Sequence, residues 1–249
     1  MNVVEQEIIR VYPDAKSERK EALLLKEHSL LIKVNGTAWT SLVCVDTNLV
    51  ELVAGHLLSC GLIETKDDIA RIDFCEFRRK ADVFLAKEIS WTQKEKSEAT
   101  CCPKNENFLE AADSLPLKKI KAQPCEPQWV FNLAEAFSNE SAIHKWTAGT
   151  HSCILAKKGE VLFVAEDIGR HTALDKALGW MLLNDVPAGE AMLYTSGRVP
   201  VDMVEKVVRA RVGVLISKSV PTAQSVALSK EFGLKLFFRA WSDSFEEAV

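Results

Sequence analysis

The sequence predicts an α/β protein, with a largely parallel, two-face-covered sheet in its second half and a smaller α+β unit before it. Three observations predict this. After residue 142, strand-like apolar segments alternate with segments of helical spacing, as in a sheet built from crossover units. Before residue 93, Asn35-Gly36 separates two alternating runs and a single amphipathic stretch follows. From Lys94 to Pro127 periodicity fails, and Lys, Glu, Asn and Pro dominate. The chain therefore divides into a small α+β domain (1–93), a mobile cysteine-bearing loop or linker (94–127), and an α/β domain (128–249).

The elements follow in order. Residues 1–20 are polar and predict at most a short edge strand near 8–12. Residues 30–34 and 37–45 flank Asn35-Gly36, the strongest short signal for a two-residue hairpin turn. A helix is expected over 48–61, with Asn48 as cap, Glu51 three residues on, and Gly61 as stop. Short strands at 69–77 and 82–85 complete the unit, and 106–112 reads as partly helical within the linker. A helix at 129–137 opens the second half. Strand 151–156 turns at Lys157-Lys158-Gly159 into strand 161–165, then helix 169–183. Strand 191–195 precedes helix 201–211, strand 214–217 precedes helix 221–232, and strand 234–238 ends the fold before an acidic tail.

At 249 residues the chain can bury a substantial core. Its net charge of −4 argues against a nucleic-acid binder, which would show a basic face. No apolar run reaches the eighteen or so residues of a membrane span, and the N-terminus lacks a signal pattern, so a cytoplasmic protein is expected. Seven cysteines, an odd and scattered set, do not form a disulfide framework. Cys44, Cys60, Cys75 and Cys153 lie in apolar or strand-like segments and read as buried free thiols.

Residues 166–176, Glu-Asp-Ile-Gly-Arg-His-Thr-Ala-Leu-Asp-Lys, concentrate charge at a strand-to-helix junction. Loops after parallel strands share one edge of the sheet, where ligands bind. Three such loops are expected there: 166–171, 196–199 and 217–220. The 151–165 hairpin adds residues 147–151, so one polar pocket forms from four segments. Arg170 and Arg198 suit phosphate or carboxylate. Ser196 and Gly197 offer small donors. Glu166 and Asp167 would repel a bare phosphate but suit adjacent N–H groups such as those of guanine or a pterin. Asp175, four residues after His171, is placed to orient that ring. A nucleotide-like ligand satisfies both sets.

These residues resemble the FdhD-type formate dehydrogenase accessory proteins. The resemblance rests on Thr147-Ala148-Gly149-Thr150-His151, on residues 166–176, on Ser196-Gly197-Arg198 with Met203-Val204-Glu205-Lys206, and on residues 217–222. It implies a cytidine deaminase-like three-layer α/β domain behind a smaller N-terminal α+β domain, and a homodimer. It does not import deaminase zinc chemistry: neither H-x-E nor P-C-x-x-C occurs, and no metal is expected. It implies a sulfurtransferase that takes persulfide sulfur from a cysteine desulfurase. The sulfur then passes to the bis-guanine-dinucleotide molybdenum cofactor of formate dehydrogenase. The residues carried over for holding that cofactor and its GDP-like moieties are Thr150, His151, Glu166, Asp167, Gly169, Arg170, His171, Asp175, Lys176, Ser196, Gly197, Arg198, Ser217, Ser219 and Thr222.

One departure bears on the chemistry. Where the family carries C-x-x-C, this chain reads Thr100-Cys101-Cys102-Pro103. Adjacent Cα atoms lie about 3.8 Å apart, short of the roughly 4.4–6.8 Å of ordinary disulfides. Cys102 or Cys101 is then the expected single sulfur carrier, with Cys125 as a further candidate. The alternative is a cofactor-binding chaperone in which the thiols are dispensable. A nucleotide-processing enzyme built around His171 has no metal-ligand spacing or nucleophile–base pair behind it.

Overall fold

The structure, a computed structural model, describes residues 2–93, 106–107, 109–112, 114–121, 124–140 and 142–249. Strands β1 (Val3–Val11) and β2 (Ser17–Leu25) form an antiparallel ribbon of their own. The sequence predicts only a short edge strand here. The ribbon is largely exposed on both sides, Ile9 and Val11 included, so it carries no apolar alternation to read.

β3 (His28–Val34) and β4 (Thr37–Cys44) join through Asn35 and Gly36, at φ 47° and 83°. Both are left-handed, as a tight hairpin turn of this length requires. After helix α1 (Leu49–Ser59), β5 (Ile69–Phe74) pairs antiparallel with β6 (Lys80–Leu85), and β6 runs parallel to β3. β7 (Trp91–Gln93), β8 (Glu106–Asn107) and β9 (Leu109–Ala111) follow. β8 extends the sheet to the order β5-β6-β3-β4-β8, and β9 pairs with β7. The helix expected at 106–112 is thus replaced by strands. Open backbone edges at β4 and β7 outweigh a weak local preference.

All of α1 except Val50 and Glu51 is buried, so the helix is enclosed rather than half-exposed. Asn48 does not cap it. It enters from a left-handed conformation, φ 49°, which asparagine tolerates, and its side chain makes no capping bond. Gly61 does end the helix, at φ 76°, with amides 61 and 62 returning to the carbonyls of Leu58 and Leu57.

The second half contains α2 (Pro127–Glu140), α3 (Ala142–Thr147), β10 (His151–Lys157), β11 (Glu160–Asp167) and α4 (Arg170–Leu183). β12 (Ala191–Thr195), α5 (Val201–Arg209), β13 (Val214–Ser217), α6 (Ala223–Phe232), β14 (Lys235–Phe238) and β15 (Glu246–Glu247) complete it. The sheet order is β11-β10-β12-β13-β14-β15. Only β12, β13 and β14 are mutually parallel, which corrects the expectation of a largely parallel sheet. The tight turn at Lys158-Gly159, both left-handed, admits only an antiparallel neighbour.

Side chains alternate between the faces of this sheet as strand geometry dictates. Ile154, Met192, Tyr194, Ile216 and Phe237 pack with Val130, Leu133 and Ala134 of α2. Leu155, Leu193, Leu215 and Leu236 join α4, α5, α1 and the N-terminal sheet in one continuous core. Where α1 crosses α4, the backbones nearly touch. A Cβ on Gly55 would lie 1.7 Å from the Asp175 carbonyl oxygen, and one on Gly179 would lie 1.8 Å from that of Glu51. This contact ties the two halves of the chain together. No helix among the described residues is long and apolar enough to cross a membrane.

Candidate functional site

The topology brings the ends of β11, β12 and β13 and the start of β10 to one edge. His151 lies opposite Asp167, Ser152 opposite Glu166, Cys153 opposite Thr195, and Thr195 opposite Ser217. Ser196 Oγ accepts the Ser152 amide at 3.1 Å and lies 3.1 Å from His151 Nδ1. Arg170, Arg198 and His171 are close enough to bias His151. Burial first, then the Arg170 charge, pushes that imidazole below its ordinary range, so it stands as a neutral ring among cations.

Arg170 starts α4, with Gly169 before it in extended conformation as the cap. Its Nε is buried and has no hydrogen-bond partner among the described residues. The Gly197 backbone makes room for it: a Cβ there would lie 2.8 Å from both Cβ and Cδ of Arg170. Arg198 is exposed at the same edge. Below them Ser217 Oγ donates to the Gly197 carbonyl at 2.8 Å and accepts the Ser219 amide at 2.9 Å, which fixes both loops. Thr222 caps α6 by accepting the Ser225 amide at 3.2 Å.

The carboxylates expected to face a base hold protein partners. Glu166 accepts the amides of Ile143 and His144 at 3.3 and 3.2 Å, the first turn of α3, and the Thr150 hydroxyl at 3.4 Å. Asp167 is fully buried against Lys176, 2.6 Å away, and accepts the Val45 amide. Lys176 also donates to the carbonyls of Val45 and Glu166, both at 3.2 Å, and to the Thr47 hydroxyl. This buried ion pair joins the junction to the loop before α1.

Asp175 does not orient His171, as the helical spacing suggests. His171 Nε2 pairs instead with Asp202 of α5, at 2.8 Å. Asp175 points away from the edge into a buried polar cluster. Its carboxylate meets His56 Nδ1 at 2.8 Å, Ser59 Oγ at 2.7 Å and Lys206 Nζ at 2.7 and 2.8 Å. Burial works to raise its pKa, but the Lys206 and His56 contacts prevail and hold it far below the carboxylate range. His56, Ser59 and Asp202 were missed from sequence, and Lys206 was noted only within a motif. The available signal is a pair of polar side chains, His56 and Ser59, in the last two turns of a helix that is apolar from Leu52 to Gly55. The expected sulfur carriers Cys101 and Cys102 lie outside the described residues. Cys125 is half-buried, and its thiol is pushed up to about 11, chiefly by burial.

The model of the FdhD/NarQ family matches residues 25–246. The chain belongs to that family. It is 33% identical over 227 residues to a protein of Halalkalibacterium halodurans named sulfur carrier protein FdhD, covering 89% of this chain and 84% of that one. It is 31% identical to a protein of the same name from Staphylococcus aureus, covering 92% and 88%. Among solved structures, one from Desulfotalea psychrophila, provisionally described as a formate dehydrogenase accessory protein, superimposes with a TM-score of 0.80. It covers 99% of this chain and 96% of its own at 22% identity, a likeness of fold. The FdhD/NarQ match encloses the whole sheet edge and the His56–Asp175–Lys206 cluster.

Proposed function

We propose that this chain is a formate dehydrogenase accessory protein that carries sulfur. In this reading it passes persulfide sulfur from a cysteine desulfurase to the bis-guanine-dinucleotide molybdenum cofactor, the cargo it holds at the sheet edge. Membership of a family whose relatives are named sulfur carriers supports the sulfur role. The observation that carries the cargo site is Arg170, whose buried Nε has no partner among the described residues and stands above a glycine that leaves space for its stem. A buried donor left unpaired is costly, and a phosphate oxygen satisfies it. Arg198 adds a second cation, while neutral His151 and Ser196 supply a polar floor.

The diphosphate of a guanine dinucleotide is therefore the part this edge fits best. Glu166 and Asp167 position the frame instead of meeting the base, since both carry protein partners. Sulfur reaches the cargo through a thiolate of Cys101 or Cys102. The thiolate attacks the outer sulfur of the donor persulfide and releases the donor as a thiol. The parallel strands β12–β14 with helices on both faces fit a cytidine deaminase-like layer acting as a homodimer, a state that light scattering on the purified chain tests.

Calorimetry with GDP tests the site. Binding by the wild type, weakened about tenfold or more by Arg170→Ala and by Arg198→Ala, is the expected result, equal to roughly 1.4 kcal/mol for each lost ionic contact. Wild-type protein that binds no GDP, or variants that bind it unchanged, overturns the assignment of this edge. Intact mass after incubation with a desulfurase and cysteine tests the carrier role. Full formate dehydrogenase maturation by Cys101→Ala/Cys102→Ala would leave a chaperone without those thiols.

A further inference from the structure

Beside the buried cluster lies Cys60, one of four cysteines whose apolar or strand-like surroundings predict a buried free thiol. Cys44 and Cys153 are fully buried, and burial pushes the Cys44 thiol up to about 12 and raises that of Cys153. Cys75 is held low, against burial, by backbone amides of its own turn. Cys60 differs from all of these. It is half-buried at the C-terminal end of α1, and its Sγ lies 3.7 Å from His56 Nε2, one helical turn back. The far nitrogen of the same ring, Nδ1, is bound to Asp175 at 2.8 Å. Trp39 lies against the imidazole, ring centroids 4.9 Å apart.

Thiol, imidazole and carboxylate thus stand in line, with the carboxylate fixing the ring and its tautomer. Lys206 adds a positive charge, 3.0 Å from Ser59 Oγ and 3.5 Å from His56 Nδ1. Burial works to raise the Cys60 pKa, yet the His56 and Lys206 charges outweigh it and hold the thiol below its ordinary range, with Asp175 opposing. Burial likewise works to lower the His56 pKa, but the facing Cys60 sulfur and Asp175 lift it to about 9 against Lys206. Both shifts run in the direction that contact between the sulfur and the ring favours, toward the charged form of each. Among the described residues no group of three or more His, Cys, Asp or Glu side chains is arranged to hold a metal ion.

A cluster that only bolted three helices together would need Ser59, Asp175 and Lys206. It would not need a sulfur on the free nitrogen of the ring, at a residue that is only partly buried. We propose that Cys60 is a sulfur-accepting nucleophile, with His56 as its proton acceptor, Asp175 and Lys206 as positioning residues, and a persulfide or polysulfide as its reagent. The choice of reagent rests on the sulfur-carrier reading; the reactivity of the thiol does not.

The step balances without an outside oxidant. The Cys60 proton passes to His56 Nε2, and the thiolate attacks the outer sulfur of a donor R–S–SH. A new S–S bond forms at Cys60 as the donor's S–S bond breaks. The leaving R–S⁻ takes the proton from His56, so Cys60–SH and R–S–SH become Cys60–S–SH and R–SH. The donor is reduced by two electrons and Cys60 is oxidised by two.

Alkylation of the full-length reduced protein by iodoacetamide across pH, followed by peptide mass mapping, tests the thiol. Cys60 is expected to react about tenfold or more faster than Cys125 near neutral pH, with a midpoint below roughly 8.5 that moves back up in His56→Gln. The wild-type profile decides even where that variant fails to fold. A Cys60 that reacts no faster than Cys125 overturns the proposal. Sulfur loading is then mapped in Cys101→Ala/Cys102→Ala, with a desulfurase plus cysteine and separately with inorganic polysulfide. The expected result is one added sulfur on the Cys60 peptide, lost on adding Cys60→Ser. Wild type that loads only at Cys101 or Cys102 from both donors overturns the proposal and keeps the carrier reading. Loading of Cys60 by polysulfide, with no desulfurase transfer anywhere, supports the thiol and removes the carrier reading.

Discussion

Replacing Gly55 by alanine places a single methyl group at the α1–α4 crossing, where the geometry fixes its cost. The new Cβ would lie 1.7 Å from the Asp175 carbonyl oxygen and 2.6 Å from the Gly179 amide nitrogen, against the 3.4 Å at which ordinary contact begins. Both obstacles are backbone, so no rotamer change relieves them, and the helices must part by about 1–2 Å. Overpacking of this kind costs about 3 kcal/mol, at the upper end of the usual range. Alanine returns about 1 kcal/mol of helix propensity. Parting the helices also stretches the bonds from Asp175 to His56 and Ser59, at about 1 kcal/mol or more each. The net loss is about 4 kcal/mol, a fall in Tm of about 8–16 °C for a chain of this size. Thermal unfolding by circular dichroism measures it, with Gly189→Ala as control, since a Cβ there meets nothing within 4 Å. Gly179→Ala should cost a similar amount, and the double variant less than the sum, because both crowd one contact and helices parted for one methyl make room for the other. A Gly55→Ala protein melting within about 2 °C of the wild type would refute the close crossing.

Two further outcomes follow from buried charges. Lys176→Met leaves the buried Asp167 with the Val45 amide but without its countercharge, and should cost about 3–5 kcal/mol in urea unfolding; adding Asp167→Leu should recover part of it. Asp175 is depressed in the folded state, so it contributes stability that is fully present above its unfolded pKa near 3.9 and lost as pH falls through the native value. The gap between wild type and Asp175→Asn in urea midpoint should therefore be widest near neutral pH and narrow progressively as pH falls below about 4. A gap that persists unchanged in acid would mean the carboxylate's charge contributes nothing to stability.

The hairpin turns and the single polar edge were legible because each depends on neighbours in sequence. Asn35-Gly36 and Lys158-Gly159 specify left-handed turns locally, and the second of them places His151 opposite Asp167. What could not be read is what long-range packing decides. Helical spacing offers Asp175 the ring of His171, four residues away. The ring it holds belongs to His56, 119 residues earlier, because α1 is pressed onto α4 at Gly55. Glu166 looks like a ligand-binding carboxylate until α3 is seen to end its first turn on it. The strands at 106–107 and 109–111 depend on open edges of β4 and β7, which no local pattern announces.

Helix α4 explains why so many charges crowd into one buried element. At about 100° per residue, Arg170 and His171 open onto the sheet edge, Asp175 faces α1 and α5, and Lys176 faces β11 and the Val45–Thr47 loop. Helix α5 answers with the same spacing: Asp202 pairs with His171, and Lys206, four residues on, pairs with Asp175. The two pairs are one turn apart and opposite in polarity, so a slip of either helix along the other would break both. The cationic edge and the Cys60 cluster are therefore the outer and inner ends of one α4–α5 seam. On the proposed reading, the same two helices fix both the edge that receives an anionic cargo and the cluster that holds the reactive thiol.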